Sequence, residues 1–282
     1  MPDADPFLPA DPLEAMPPPE RVNYATGVLL DAEDFRAEQT YHRGRLAAAL
    51  RALVGFGTLA GLRVRPPAAG DVELELRVEP GLALDPYGRL VELRGAHCIR
   101  LARWFAAQPD GVLANALRRG AQPAVVADVF LAARDCARGK TPAFATGPFD
   151  ALDAVVPARL AEEAMLSLLP RAEAGEPPLP RNAWPDSADP ARRLQAVLGS
   201  WNQGTDEGGL PPLAEHVEGQ DPGALFLARV LIPADPPPGA AGQRPRLDMT
   251  RRVSVDNTAR PFVWLPGKWA GHPPALEPLA QP

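Results

Sequence analysis

Four histidines, two cysteines and the carboxylate pair Glu162-Glu163 are side chains here whose types could do chemistry. Histidine serves as a general base or metal ligand near neutral pH, and a thiolate as a nucleophile or soft ligand. Their spacing argues against both uses. His42, His97, His216 and His272 stand in four separate local contexts, and none forms the H-x-x-x-H pair that a helix turns toward one ion. His97 and Cys98 are neighbours in a strand-like segment, so their side chains leave opposite faces. Glu162 and Glu163 diverge in the same way, which suits a solvated edge better than an acid–base pair. No G-x-S-x-G elbow, Walker loop or G-x-G-x-x-G after a strand occurs. Asp31, Glu33 and Asp34 could gather a cation, but capping of a helix explains them without one. Trp184, Trp201, Trp264 and Trp269 could line a sugar-binding groove, although tryptophans in loop-rich sequence more often anchor loops to a core. The expectation is a protein with no catalytic residues, no cofactor and no metal, which acts by binding.

The element best suited to binding is the block 24–64, YATGVLLDAEDFRAEQTYHRGRLAAALRALVGFGTLAGLRV. Val28-Leu29-Leu30 is a short apolar entry. Asp31 is a good N-cap, and Glu33 and Asp34 place negative charge at the positive end of the helix dipole. Phe35, Gln39, His42, Leu46, Leu50 and Leu53 then recur at helical spacing, with Ala49 and Val54 widening the stripe. Gly55 is a natural C-cap, and Gly57 and Gly61 stop any continuation before a strand begins at Leu62. Two uses of the stripe are open at this stage. It packs on the chain's own sheet with Gln39 and His42 at the edge, or part of it packs against copies of itself.

Composition bounds the rest. The chain has 282 residues, 46% of them apolar, enough to build a core. Thirty-six prolines suit short strands and helices joined by stiff loops rather than a bundle or a regular βαβ fold. The net charge of −6 comes with no dense basic run, so no nucleic-acid partner is expected. No apolar stretch approaches the roughly 20 residues a bilayer span needs, so direct membrane insertion is not expected. The acidic, proline-rich start does not read as a signal peptide, and two cysteines make neither a disulfide framework nor a zinc cluster. A cytoplasmic origin follows as the simplest expectation.

Along the chain, residues 1–20 read as an extended proline-rich arm with little local structure, disordered or ordered only against a partner. Residues 72–79 alternate strictly, Pro80-Gly81 bends the chain, 82–84 is another strand, and Asp85-Pro86-Tyr87-Gly88 is a turn. Residues 89–93 and 97–101 complete an antiparallel meander. Residues 101–117 read as helix broken at Pro109, 124–133 and 224–232 as buried strands, and 191–201 as a short helix. Residues 158–169 are helical by propensity or a strand by tertiary context. Residues 252–255 and 261–265 close the sheet around Asp256-Asn257. The predicted fold is mainly β (α+β): the arm, one long helix, and an antiparallel sandwich-like domain with long loops. The predicted division is an arm at 1–20, a docking domain at 21–110 and a loop-rich β-domain at 111–282.

The stretch Tyr24, Thr26, Gly27, Leu29, Leu30, Asp34, Phe35, Ala37, Glu38, Gln39 and Tyr41 resembles a family encoded with contractile phage-tail-like injection particles. The likeness continues in Gly55, Gly57, Gly61, Leu62 and Val64, and in Val78, Pro80, Gly81, Ala83, Leu84, Asp85, Gly88 and Arg89. It returns in Leu227 to Val230 and in V-D-N-x-x-R-P, Val255 to Pro261. Many relatives carry Trp and Cys around the glycine turn, where this chain has Phe56 and Ala60. The order of elements is also similar to the N-terminal part of the type VI secretion baseplate adaptor and to shoulder domains of phage receptor-binding proteins. The resemblance implies a baseplate adaptor joining wedge or spike to fibre or neighbouring subunits, assembled in the cytoplasm and then built into the particle. It implies a homo-oligomer, with a trimer favoured. Tyr24, Leu29, Leu30, Phe35, Gln39 and Tyr41 are the expected interaction residues. The alternative is a receptor- or sugar-binding tail-tip module.

Overall fold

The computed structural model describes residues 10–68, 70–71, 73–142, 155–180, 189, 191–192, 210, 213–237 and 243–263. The fold is mainly β with antiparallel sheets, one of them curled into a half-barrel. The long helix α1 (Ala32–Val54) precedes them.

Three chain passes follow α1, and each is bent once. The first is β1 (Gly57–Gly61) and β2 (Val64–Arg65), the second β3 (Glu75–Val78) and β4 (Gly81–Leu84), the third β5 (Leu90–Leu93) and β6 (His97–Arg100). Strands β1, β4 and β5 form one sheet and β2, β3 and β6 another, so the expected meander is present but folded at a corner. Leu62 donates its N–H to Pro80 O (3.2 Å) and Glu79 to Arg63 O (2.9 Å), holding the two inner bends together. Glycine is required there. A Cβ on Gly61 would sit 2.1 Å from Pro80 O, and one on Gly81 would sit 2.3 Å from Ala60 O. Leu74, Leu76 and Val78 turn inward as their alternation implies, while Val72 lies outside the described residues.

Pro109 splits the next stretch into α2 (Leu101–Ala107) and α3 (Asp110–Ala116). There follow β7 (Leu117–Arg118), β8 (Ala124–Arg138), β9 (Thr141–Pro142), β10 (Val155–Val156), β11 (Arg159–Pro170), β12 (Leu225–Asp235), β13 (Arg246–Leu247) and β14 (Ser254–Asp256). The second body runs β11-β8-β12-β13, with β7 added to β8 and β14 to β12. Residues 158–169, open between helix and strand in the sequence, are a strand because β11 pairs with β8 along its whole length, from Arg159 opposite Arg138 to Pro170 opposite Ala127. Strand β8 is covered on both faces through residues 125–132. A single apolar core joins Leu62, Leu76 and Val78 to Val125, Val129, Leu227 and Ile232, and so draws on residues before and after position 110. Residues 193–201 of the expected short helix and the four tryptophans weighed for a sugar groove lie outside the described residues. Among the described residues, no helix is long and apolar enough to cross a membrane.

Candidate functional site: the N-terminal helix and its mount

Helix α1 is closed at both ends by its own residues. Asp31 Oδ1 accepts from the Glu33 (2.8 Å) and Asp34 (3.2 Å) amides, and Asp34 Oδ2 accepts from the Asp31 amide (2.9 Å), a reciprocal capping box. The Gly55 N–H donates to Arg51 O (3.0 Å) at the other end.

The face by which α1 packs is not its most apolar one. Of its residues only Ala47 is buried, whereas Phe35 (55% exposed), Leu46 (62%) and Leu53 (68%) face outward. Gln39 and His42 lie exposed on the same side. The reading that this stripe packs on the chain's own sheet is therefore corrected. The inward face runs through Gly44 and Ala47, about 100° or more round the axis at 3.6 residues per turn. Small residues decide this. A Cβ at Gly44 would lie 3.3 Å from Leu13 Cδ2, and one at Gly88 would lie 2.1 Å from Ala47 O. The Asp85–Gly88 turn thus reaches α1 backbone to backbone, which no larger side chain permits.

Ion pairs complete the mount. Asp11 Oδ2 accepts from Arg43 Nη2 (2.9 Å) and Arg89 Nη1 (3.1 Å). Arg89 also donates from Nε to Asp85 Oδ2 (2.7 Å) and from Nη1 to Glu14 Oε1 (3.1 Å), and its guanidinium lies 4.9 Å from the Tyr87 ring centre. Burial opposes the charge on Asp11, but the Leu13 amide, Arg43 and Arg89 outweigh it and hold the carboxyl below its usual range. Burial opposes the charge on Arg89 too, yet Asp85, Asp11 and Glu14 push its pKa above the ordinary arginine value. Leu13, in a short 3-10 turn at Pro12–Ala15, is buried beneath these charges. The arm was expected to lack local structure unless a partner supplied it. Its residues 10–16 are instead ordered against the chain's own helix and turn, and residues 1–9 lie outside the description. An aspartate followed by proline is a helix-start signal, so this turn was readable at Asp11-Pro12. Its distant partners Arg43 and Arg89 were not.

A second fastening comes from the far end of the chain. Asn257 accepts from the Val64 amide at Oδ1 (3.0 Å) and donates from Nδ2 to Val64 O (3.0 Å). The Thr58 amide donates to Pro261 O (2.8 Å), and the Val263 amide to Thr58 O (3.2 Å). Arg260, buried, donates to Leu227 O (2.9 Å) and Gly61 O (3.1 Å) and also to Asn257 Oδ1. Burial, with Arg63 nearby, pushes its pKa down to about 10. Sequence placed a turn at Asp256-Asn257 and a closing strand at 261–265. The turn is a side-chain clip on β2, and residues 261–263 pair with Thr58. A Cβ on Gly57 would meet Phe262 C at 2.7 Å, which explains that glycine.

The expected interaction residues divide. Tyr24, Leu29 (94% exposed), Leu30 and Phe35 are exposed, as is Gln39. Tyr41 is half-buried on another flank of α1, its ring edge-on to His42 at 5.3 Å. Val28, Leu46 and Leu53 belong to the same exposed set and were not among the expected anchors. Beside the mount an open groove of about 840 Å³ runs between Asp11, Arg43, Leu46, Leu90, Glu92 and Glu162.

The residues with chemical potential are placed as follows. His216 donates from Nε2 to Ala224 O (2.8 Å) and accepts from the Leu213 amide at Nδ1 (3.4 Å). His42 contacts Glu38 (2.8 Å), and Glu163 pairs with Arg138. His272 lies outside the described residues. Among the described residues, no three His, Cys, Asp or Glu side chains are grouped to hold a metal ion. The chain matches no family model and no curated protein sequence.

Proposed function

We propose that this chain is a non-enzymatic structural component of a contractile injection system or phage tail, acting at the baseplate as an adaptor. One observation carries the reading. An apolar face running from Tyr24 and Leu29 through Phe35 to Leu53 is exposed, on an element whose own packing uses a different side. Exposed apolar clusters of this kind mark protein–protein contact sites. The face sits on a capped helix fastened by ion pairs and backbone contact, so a partner meets a preorganised surface and little ordering cost remains. In this reading the N-terminal segment and α1 hold neighbouring subunits, copies of this chain among them, with a trimer favoured. The loop-rich half meets fibre, spike or wedge proteins, and neither nucleic acid nor membrane insertion is involved. Quantitative mass spectrometry of sedimented particles from the producing cell tests this. The chain is expected at a fixed, low ratio to the sheath protein. Recovery only in the supernatant would remove the proposal. Phe35→Asp, at an exposed position, is expected to leave the fold intact and abolish incorporation.

A further inference from the structure

Residues 10–16 and the site that receives them are separate parts of the chain. Asp11 pairs with Arg43 (2.9 Å) and Arg89 (3.1 Å), and Glu14 pairs with Arg89 (3.1 Å). Arg51 Nη1 donates to Met16 Sδ (3.2 Å). Leu13 is buried, with its Cδ2 3.3 Å from where a Cβ on Gly44 would stand. Every receiving group lies at or beyond position 43, so the site is complete whichever copy of the chain supplies the anchor.

The connector, residues 17–30, decides which copy that is. Its fourteen residues form neither helix nor strand, and all except Val22 are exposed. Among the described residues its backbone hydrogen bonds are internal, Glu20 N–H to Pro18 O (2.8 Å) and Val28 N–H to Ala25 O (3.2 Å). Pro17, Pro18 and Pro19 stiffen the exit from the anchor. Within one chain the connector spans from Arg51 back to Asp31, about 30 Å along the helix. Fourteen residues reach up to about 46 Å, so its length does not tie it to its own helix. The closed arrangement also leaves Tyr24, Val28, Leu29 and Leu30 exposed. A connector running from one copy to another lies between them and encloses those side chains, which is what exchange gains over closure. The anchor contacts are the same in both arrangements, so each charge keeps the kind of partner it has in the closed chain.

We infer that in an assembly of copies the anchor of one chain, residues 10–16, occupies the Arg43, Gly44 and Arg89 site of the next. This rests on the reading above that the N-terminal segment joins copies, and it names the contact. Passed round a closed ring, the exchange fills every site, in a dimer or a trimer alike.

Disulfide trapping of the full chain tests it. In a background carrying Cys98→Ser and Cys136→Ser, two differently tagged chains are co-expressed, one with Leu13→Cys and the other with Gly44→Cys. A chain closed on itself then opposes its introduced thiol to none, and only an exchanged pair brings the two thiols together. After mild oxidation the mixed disulfide is expected roughly tenfold above that of a pair with Ala49→Cys, on the outward face, in place of Gly44→Cys. Equal yields would overturn the inference. The chain carrying both Leu13→Cys and Gly44→Cys is expected to link to other copies, and single chains linked only within themselves would overturn it. Light scattering gives a readout without introduced thiols. At about 1 mM, the effective concentration a short connector imposes within one chain, the wild type is expected at the mass of two or more chains. Leu13→Asp is expected at the mass of one, with unchanged circular dichroism. A wild-type mass of one chain, or a mass that Leu13→Asp leaves unchanged, would overturn the inference. If the doubly substituted chain sediments with particles and is linked there only within itself, exchange falls and the adaptor reading stands. If exchanged links form and no chain sediments with particles, the adaptor reading falls and exchange stands.

Discussion

Helix α1, of 23 residues, and strand β8, of 15, treat their apolar residues in opposite ways. Strand β8 buries every residue from 125 to 132 between two neighbouring strands and the rest of the core. Helix α1 buries Ala47 alone and leaves Phe35, Leu46 and Leu53 outside. The strand's apolar residues hold the fold together. The helix is held by a glycine contact and ion pairs instead, which leaves its apolar residues exposed. In the proposed reading stability and binding reside in separate residues, and that separation is open to experiment.

The largest effect belongs to the strand. Phe130 is fully buried, edge-on to Phe226 at 5.8 Å. Phe130→Ala is expected to lower the unfolding free energy by about 3–5 kcal/mol in urea titration. A loss no larger than that of a surface substitution would break the comparison from the strand's side. Next comes the mount. Gly88 has φ +88° and no room for a Cβ beside Ala47 O, so Gly88→Ala is expected to cost about 1–3 kcal/mol. Amide exchange should then quicken in α1 more than in β8. Uniform quickening would mean that helix and sheet are not separable.

Asp11 gives a smaller effect with a defined pH sense. Its folded pKa lies below the ordinary value of 3.8, so its contribution is fully present above that value and is lost as pH falls through the folded one. Protection of residues 10–16 from exchange should fall as pH drops below the ordinary carboxylate value and through the lower folded one, and Asp11→Asn should remove that dependence. A pH profile unchanged by Asp11→Asn would show that the arm is held by Leu13 alone. The smallest effect is on the outward face. Leu53→Ala is expected to shift the stability of the single chain by no more than about 0.5 kcal/mol. A loss of 2 kcal/mol or so, of the kind truncating a buried leucine gives, would mean that the face is part of the core.

Much of the fold was legible in local sequence. Asp31 and Gly55 marked the ends of α1, Pro109 split α2 from α3, and the apolar runs of β8 and β12 announced buried strands. Glycine and proline also marked the corner at Pro80-Gly81, because bends need particular residues whatever surrounds them. The unread parts all depend on partners far along the chain. Residues 158–169 have helical propensity, and only registration against β8 makes them a strand. The clamp joins Asp11 to Arg89, and the clip joins Asn257 to Val64, across separations no local pattern encodes. The candidate site was half legible. The stripe on α1 was visible from its spacing, but its exposure turned on Gly44 against Leu13 and Ala47 against Gly88, contacts that are tertiary facts.

The central claim is that the outward face of α1 binds within a particle. The direct measurement is competition: wild-type and Phe35→Asp chains, differently tagged, are expressed together, and sedimented particles are quantified by mass spectrometry. The account predicts wild-type chain in the pellet at a fixed ratio to the sheath protein, with the Phe35→Asp chain folded and left in the supernatant. Equal recovery of both chains in the pellet would contradict it.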